Sequence, residues 1–204
     1  MAVQPRPILH YFNLGSKGRG EVVRLFLREL GIDFEDKRYP YDDTWAAQSQ
    51  VYQDQGLSIT GKLPVLEIDG NILAQHIPIL RYLARSRGGY DGSSKYDKWL
   101  VDAVSDIYID WRAQWVANLS GNVPNYKTRV VPEFYRIFDS YYSKTDGPYL
   151  LGNTVSYVDF AVFQVLDNDA AVGAEPEHVP ATLIALKKAV SERPNIKEYI
   201  SARL

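Results

Sequence analysis

Apolar positions in the first part of the chain switch between a period of two and a period near 3.6. The remainder keeps the helical period almost throughout. Ile8 to Phe12 is a short apolar run ending in the turn residues Gly15-Ser16-Lys17-Gly18, and it predicts a strand. Val22, Val23, Phe26, Leu27 and Leu30 then share one face of a helix. Arg24, Arg28 and Glu29 fall on the more exposed side, and Gly31 is the stop. Phe34 to Tyr39 predicts a second strand, whereas the polar stretch holding Trp45 and Tyr52 has no clear period. Leu63 to Ile68, the turn pair Asp69-Gly70 and Asn71 to Leu73 read as a hairpin. Gln75 to Arg87 carries Ile79, Leu80, Leu83 and Ala84 at helical spacing.

The order βαβ, hairpin, α fits a small mixed sheet covered by helices, spanning residues 1–85. Residues 86–94, SRGGYDGSS, are dense in glycine and serine and read as a linker. From Tyr96 to about Asn118, Leu100, Val104, Ile107, Trp111 and Trp115 recur every three or four positions. Lys127 to Tyr142 predicts another helix, and Ser156-Tyr157-Val158-Asp159 is a capping box opening on Phe160 to Leu166. Pro180 to Glu192 and Asn195 to Arg203 complete an all-α second domain over 95–204. The fold class expected is therefore α/β followed by a helical bundle.

Composition narrows the chemistry. Among 204 residues, 23 Lys and Arg stand against 25 Asp and Glu, so no basic excess exists to displace counterions from a nucleic acid or to hold a polybasic membrane contact. Cysteine is absent, which removes disulfides, thiolate metal sites and any thiol nucleophile of the protein itself. Sulfur chemistry would have to come from a ligand. The three histidines, His10, His76 and His178, offer no paired metal spacing, and no metal is expected. Gly18-Arg19-Gly20 and Gly61-Lys62 lack the context of nucleotide-binding loops. No signal-peptide pattern and no membrane-length apolar run is evident, so the expected location is cytoplasmic.

Leu63-Pro64 stands where thioredoxin-like domains place a proline at the start of a strand, after a cis bond. Around it lie Tyr11-Phe12-Asn13 with Gly18-Arg19-Gly20-Glu21, Gly61-Lys62-Leu63-Pro64-Val65-Leu66, Asp69-Gly70, and Gln75 opening a helix. Together with Val101-Asp102-Ala103 and Leu151-Gly152-Asn153 before the capping box, these segments resemble cytosolic glutathione transferases over nearly the whole chain. The resemblance is to the tyrosine-type classes, especially the sigma class that includes glutathione-dependent prostaglandin D synthase.

That resemblance implies glutathione as co-substrate, a small hydrophobic electrophile as its partner, a homodimer, and a role in detoxification. It assigns Tyr11 as the hydroxyl donor to the glutathione sulfur and Arg19 as the cation that orients it. Leu63, before Pro64, would offer backbone N–H and C=O to the cysteinyl unit. Lys62 and the Trp45 indole would take the glycyl carboxylate. Gln75 and the backbone N–H of His76 would seat the γ-glutamyl carboxylate at a helix start. Asp110 of the partner subunit would reach the γ-glutamyl ammonium. Tyr108, Arg112 and Trp115 are the candidates for the co-substrate pocket.

Three positions depart from the family pattern. His76 replaces the usual serine, the loop after Tyr11 is longer by about two residues, and Ser49 stands where a basic residue is usual. The expected activity is conjugation of the glutathione thiolate to an electrophile. The alternatives are a glutathione-dependent isomerase and a non-catalytic ligand-binding descendant of the fold.

Overall fold

The computed structural model describes residues 5–203 and divides into two compact units. One runs to Leu83 and includes the segment from Pro194; the other is Ala84–Arg193. In the first unit, β1 (Ile8–Phe12), α1 (Arg19–Glu29) and β2 (Glu35–Tyr39) form the βαβ segment. The helix α2 (Trp45–Asp54) follows, then β3 (Val65–Ile68), β4 (Asn71–Ala74) and α3 (His76–Arg87). The sheet order is β2-β1-β3-β4, with β1 parallel to β2 and antiparallel to β3, and β3 antiparallel to β4. Asp69 and Gly70 both take positive φ, 52° and 75°, which a two-residue hairpin turn of this hand requires.

α1 buries Val22, Val23, Phe26 and Leu27, as its period predicts, and Leu25 as well. It also buries Arg24 and Glu29, against the expectation that they lie on the exposed side. The reason lies at the other end of the chain. The short helix α8 (Lys197–Ser201) belongs to this unit: Asn195 donates to the Glu29 carbonyl at 2.8 Å, and Tyr199 and Arg203 both donate to Glu21. The first compact unit thus includes the last residues of the chain, which cover a second face of α1. The linker reading also shortens, since α3 continues through Arg87 before Gly88, Gly89 and Gly92 take positive φ.

The second unit contains α4 (Lys95–Leu119), a π-helical turn at Tyr126–Val130 running into α5 (Val131–Tyr142), α6 (Tyr157–Ala171) and α7 (Ala181–Ser191). Two reciprocal caps start its helices. Ser94 and Asp97 close one on α4; Ser156 and Asp159 close the other on α6, at the position its sequence signature predicts. α6 is buried nearly all round, from Tyr157 through Leu166, and forms the centre of this unit.

Candidate active site

Strand register brings the expected ligand-binding residues of the first unit to one end of the sheet. His10 pairs with Val65, and Val65 with Ala74, across antiparallel neighbours. Tyr11 lies one residue past His10, Leu63-Pro64 lies just before Val65, and Gln75 just after Ala74, so all three leave the sheet at the same edge. The Leu63-Pro64 bond is cis. Tyr11, Phe12, Leu63 and Val65 form one buried cluster, against which Tyr39, Trp45, Leu57 and Ala74 pack.

The Tyr11 ring is buried, and its hydroxyl oxygen accepts the backbone N–H of Arg19 at 2.9 Å. Arg19 is the first residue of α1, where an N–H has no intrahelical acceptor. A phenol has one proton to donate; with its oxygen accepting from the helix start, that proton remains for another acceptor. The ring lies flush against Gly18 and Gly20. A Cβ on Gly20 would collide with the ring carbons, and one on Gly18 with the hydroxyl. Only glycine permits this approach, and Gly18 also takes φ 83°.

Arg19 therefore meets Tyr11 through its backbone. The guanidinium that stands over the Tyr11 ring is that of Arg24, with Cζ 5.9 Å from the centroid. Arg24 is wholly buried, held by Asp36 and Glu21. The helical period hid it, since the pattern records one apolar face and cannot show a second cover.

Trp45 opens α2 and meets Phe12 edge-on at 4.6 Å, flanked by Tyr39 and Tyr52. Lys62 is exposed, and the loop carrying it is fixed by two hydroxyls: Ser58 donates to the Lys62 carbonyl at 2.7 Å, and Ser49 to the Gly61 carbonyl at 2.8 Å. Ser49 thus holds the loop backbone where the family pattern has a cation. Gln75 is exposed with φ 68°, a sparsely populated conformation for a residue with a Cβ, and its carbonyl accepts the Ile79 N–H to close the first turn of α3. His76, first in α3, is 4% exposed.

On the far face of β1, His10 is held at both nitrogens, 2.6 Å from the Tyr39 hydroxyl and 2.6 Å from Glu67. Burial lowers its pKa against the pull of Glu67, so the neutral ring is favoured. Nε2–H then donates to Glu67 and Nδ1 accepts from Tyr39.

In the second unit Asp110 is exposed on α4. Tyr108, Arg112 and Trp115 are 0–2% exposed. Arg112 donates to Asn168 at 3.1 Å and stands over the Trp115 ring at 4.6 Å. The three share the buried stripe of α4 with Val101, Val104 and Trp111. Among the described residues no cluster of His, Asp or Glu is placed to hold a metal ion, and no helix is long and apolar enough to cross a membrane.

Residues 7–85 match the family model for the glutathione S-transferase N-terminal domain, and residues 109–203 match that for the C-terminal domain. A probable glutathione S-transferase 9 of Caenorhabditis elegans is 30% identical over 96% of this chain and 95% of its own length. The chain belongs to the glutathione S-transferase family. Among solved structures, a C. elegans glutathione S-transferase superposes with a TM-score of 0.83 at 30% identity, covering 98% of this chain and 99% of that one. The prostaglandin synthase D of Nilaparvata lugens gives 0.77 at 26% identity, over 98% and 99%. The two-unit architecture is that of a glutathione transferase, an enzyme family that takes glutathione as substrate.

Proposed function

We propose that this glutathione transferase ionises the glutathione thiol against Tyr11 and transfers the thiolate to a small apolar electrophile. The observation that carries the reading is the Tyr11 hydroxyl, whose oxygen is engaged by the Arg19 N–H at 2.9 Å at the sheet end shared with Leu63-Pro64 and Gln75. A free thiol of pKa about 8.5 is only a few per cent ionised at pH 7. Lowering it by about two units requires roughly 2.7 kcal/mol. One or two hydrogen bonds to an ionised acceptor, worth about 1.5–3 kcal/mol each, supply that. No protein base is required.

In this reading Leu63 lends its backbone to the cysteinyl unit, and Lys62 with Trp45 takes the glycyl carboxylate. Gln75 and the first-turn N–H groups of α3, beginning at His76, hold the γ-glutamyl carboxylate. Asp110 completes the site from the partner subunit of a homodimer. The surroundings are taken to be cytoplasmic.

A second reading, reversible thiolate addition that returns glutathione and isomerises a small metabolite, is favoured by the likeness to the N. lugens prostaglandin synthase D. Mass spectrometry of products formed with and without glutathione decides between them. A glutathione adduct supports conjugation, and a glutathione-dependent isomer supports the second reading. Absence of turnover with a panel of electrophiles and endoperoxides, despite glutathione binding, points to a ligand-binding descendant.

A further inference from the structure

Arg24, which the helical period puts on the more exposed side of α1, is a fully enclosed charge near the candidate site. Its Nε lies 2.9 and 2.8 Å from the two carboxylate oxygens of Asp36, and its Nη1 lies 3.1 Å from Glu21 Oε2. Its Nη2 is buried with no hydrogen-bond partner among the described residues, while Cζ stands over the Tyr11 ring. Both carboxylates are shared. Asp36 also accepts from Arg38 Nε at 2.8 Å, and Glu21 accepts from Arg203 at 2.6 Å and from the Tyr199 hydroxyl at 2.9 Å. Three guanidiniums thus face these two carboxylates, and the one that stands over the Tyr11 ring is that of Arg24.

Stability alone is a weak account of such an arrangement, because well-packed apolar side chains commonly replace buried ion pairs at no loss. Location is the better account. A cation on the face of an aromatic ring is attracted by its π-cloud and draws electron density from it, which strengthens donation by the hydroxyl. The same network also reaches the backbone around the tyrosine, since Arg38 extends from Asp36 to the Gly15 carbonyl at 3.4 Å, in the lengthened loop that leads to Gly18.

We propose that Arg24 is a positioning residue for Tyr11, and that the Glu21–Arg24–Asp36 network sets the acidity of the thiol that Tyr11 faces. This rests on the reading of Tyr11 given above. The network acts through charge, so removing its cation and removing its anion must have opposite effects, whereas a merely structural support would suffer in the same direction from both.

The test is the apparent pKa of bound glutathione, followed through thiolate ultraviolet absorbance against pH. In Arg24→Gln the cation is lost while Asp36 keeps Arg38 and Glu21 keeps Arg203, so neither carboxylate is stranded. The thiol pKa should rise by about 0.5–1 pH unit. In Asp36→Asn the anion is lost while Arg24 keeps Glu21, and the pKa should fall. Arg24→Lys should stay near the wild-type value. A rise in both neutralising variants, or a shift in neither, overturns the proposal. If Arg24→Gln does not fold, Asp36→Asn decides alone: a fall supports the network, and a rise or no change overturns it.

Tyr11→Phe, measured alongside, separates the two levels of inference. A thiol pKa that responds to Tyr11 but ignores Arg24 and Asp36 overturns the network only. A protein that binds no glutathione, or whose bound thiol ignores Tyr11, overturns the proposed function and the network with it.

Discussion

In the first unit the buried carboxylate of Glu21 meets guanidiniums, and Asp36 beside it does the same. In the second unit the buried carboxylate of Asp159 meets only neutral donors: the Leu150 N–H at 3.0 Å, the Ser156 N–H at 2.7 Å, the Ser156 hydroxyl at 2.8 Å and the Tyr142 hydroxyl at 2.8 Å. The four donors come from the loop before α6, from its cap and from α5, so one side chain ties three segments together. Burial still raises the Asp159 carboxyl above the usual range, against the pull of those bonds. The contrast separates two uses of a buried charge. Neutral donors around a carboxylate fix backbone. Guanidiniums paired with carboxylates keep full charges inside the unit, and in this chain one of them stands over the ring of the strand-end tyrosine.

The largest expected effect tests the structural half of that contrast. Asp159→Ala leaves four buried or half-buried donors without their acceptor, at about 1–3 kcal/mol each before relaxation. A loss of about 4 kcal/mol or more in denaturant titration is expected, a large share of an ordinary domain's stability of about 5–15 kcal/mol. A loss below about 1 kcal/mol would break the comparison, because Asp159 would then not be what joins these segments.

Tyr11→Phe tests the other half. It removes one oxygen from a ring already packed on Gly18 and Gly20 and leaves the Arg19 N–H without that acceptor, so stability should fall only by about one hydrogen bond, roughly 0.5–1.5 kcal/mol. The conjugation rate should fall about ten- to a thousandfold, equal to roughly 1.4–4 kcal/mol of thiolate and transition-state stabilisation. Full rate with reduced stability would make Tyr11 a core aromatic and return the chemistry to another donor.

Asp169 sharpens the comparison through pH. It lies in the core of the second unit, accepts the Tyr126 hydroxyl at 2.7 Å, and burial pushes its carboxyl up to about 7, with Tyr126, Trp111 and Arg112 pulling the other way. An unfolded aspartate titrates near 3.9. The folded state therefore holds the proton more tightly, and this contribution to stability is full below about pH 3.9 and lost as pH rises to about 7. Asp169→Asn cannot ionise. Its stability relative to wild type should climb across that window, by roughly 4 kcal/mol at most for a shift of about three units. Thermal melts of both proteins at pH 5, 6, 7 and 8 would show it. A constant difference would mean that Asp169 is ionised throughout and paired well enough to belong with the charges of the first unit.

What could be read in advance was whatever is decided within a few residues. Asp69-Gly70 sets its own turn, the Ser156–Asp159 signature sets its own cap, and Leu63-Pro64 and Gln75 flank the open end of one hairpin because register is local to a hairpin. α2 went unseen because it buries only Tyr52, and a helix with so little buried face leaves almost no period. Arg24 was misplaced because its cover includes α8, whose Tyr199 lies 178 residues beyond Glu21 along the chain. Tyr108, Arg112 and Trp115 lie on the stripe of Val101, Val104 and Trp111, so their burial follows from helical spacing that the sequence already shows.

The smallest expected effect concerns Asp110, the residue of the second unit assigned to glutathione binding. It is exposed on α4, and in a symmetric dimer it would approach the γ-glutamyl ammonium bound by the partner. A half-solvated ion pair of this kind contributes about 0.2–1 kcal/mol, so Asp110→Asn should weaken glutathione binding only about 1.4- to fivefold, and less at high salt. The rate at saturating glutathione should not change, because the ammonium is remote from the sulfur and the contact is equal in ground and transition states. Calorimetric titration at two ionic strengths measures the first effect and steady-state kinetics the second. Light scattering is the prior condition. A monomer near 23 kDa at micromolar concentration would leave Asp110 facing solvent and outside the site.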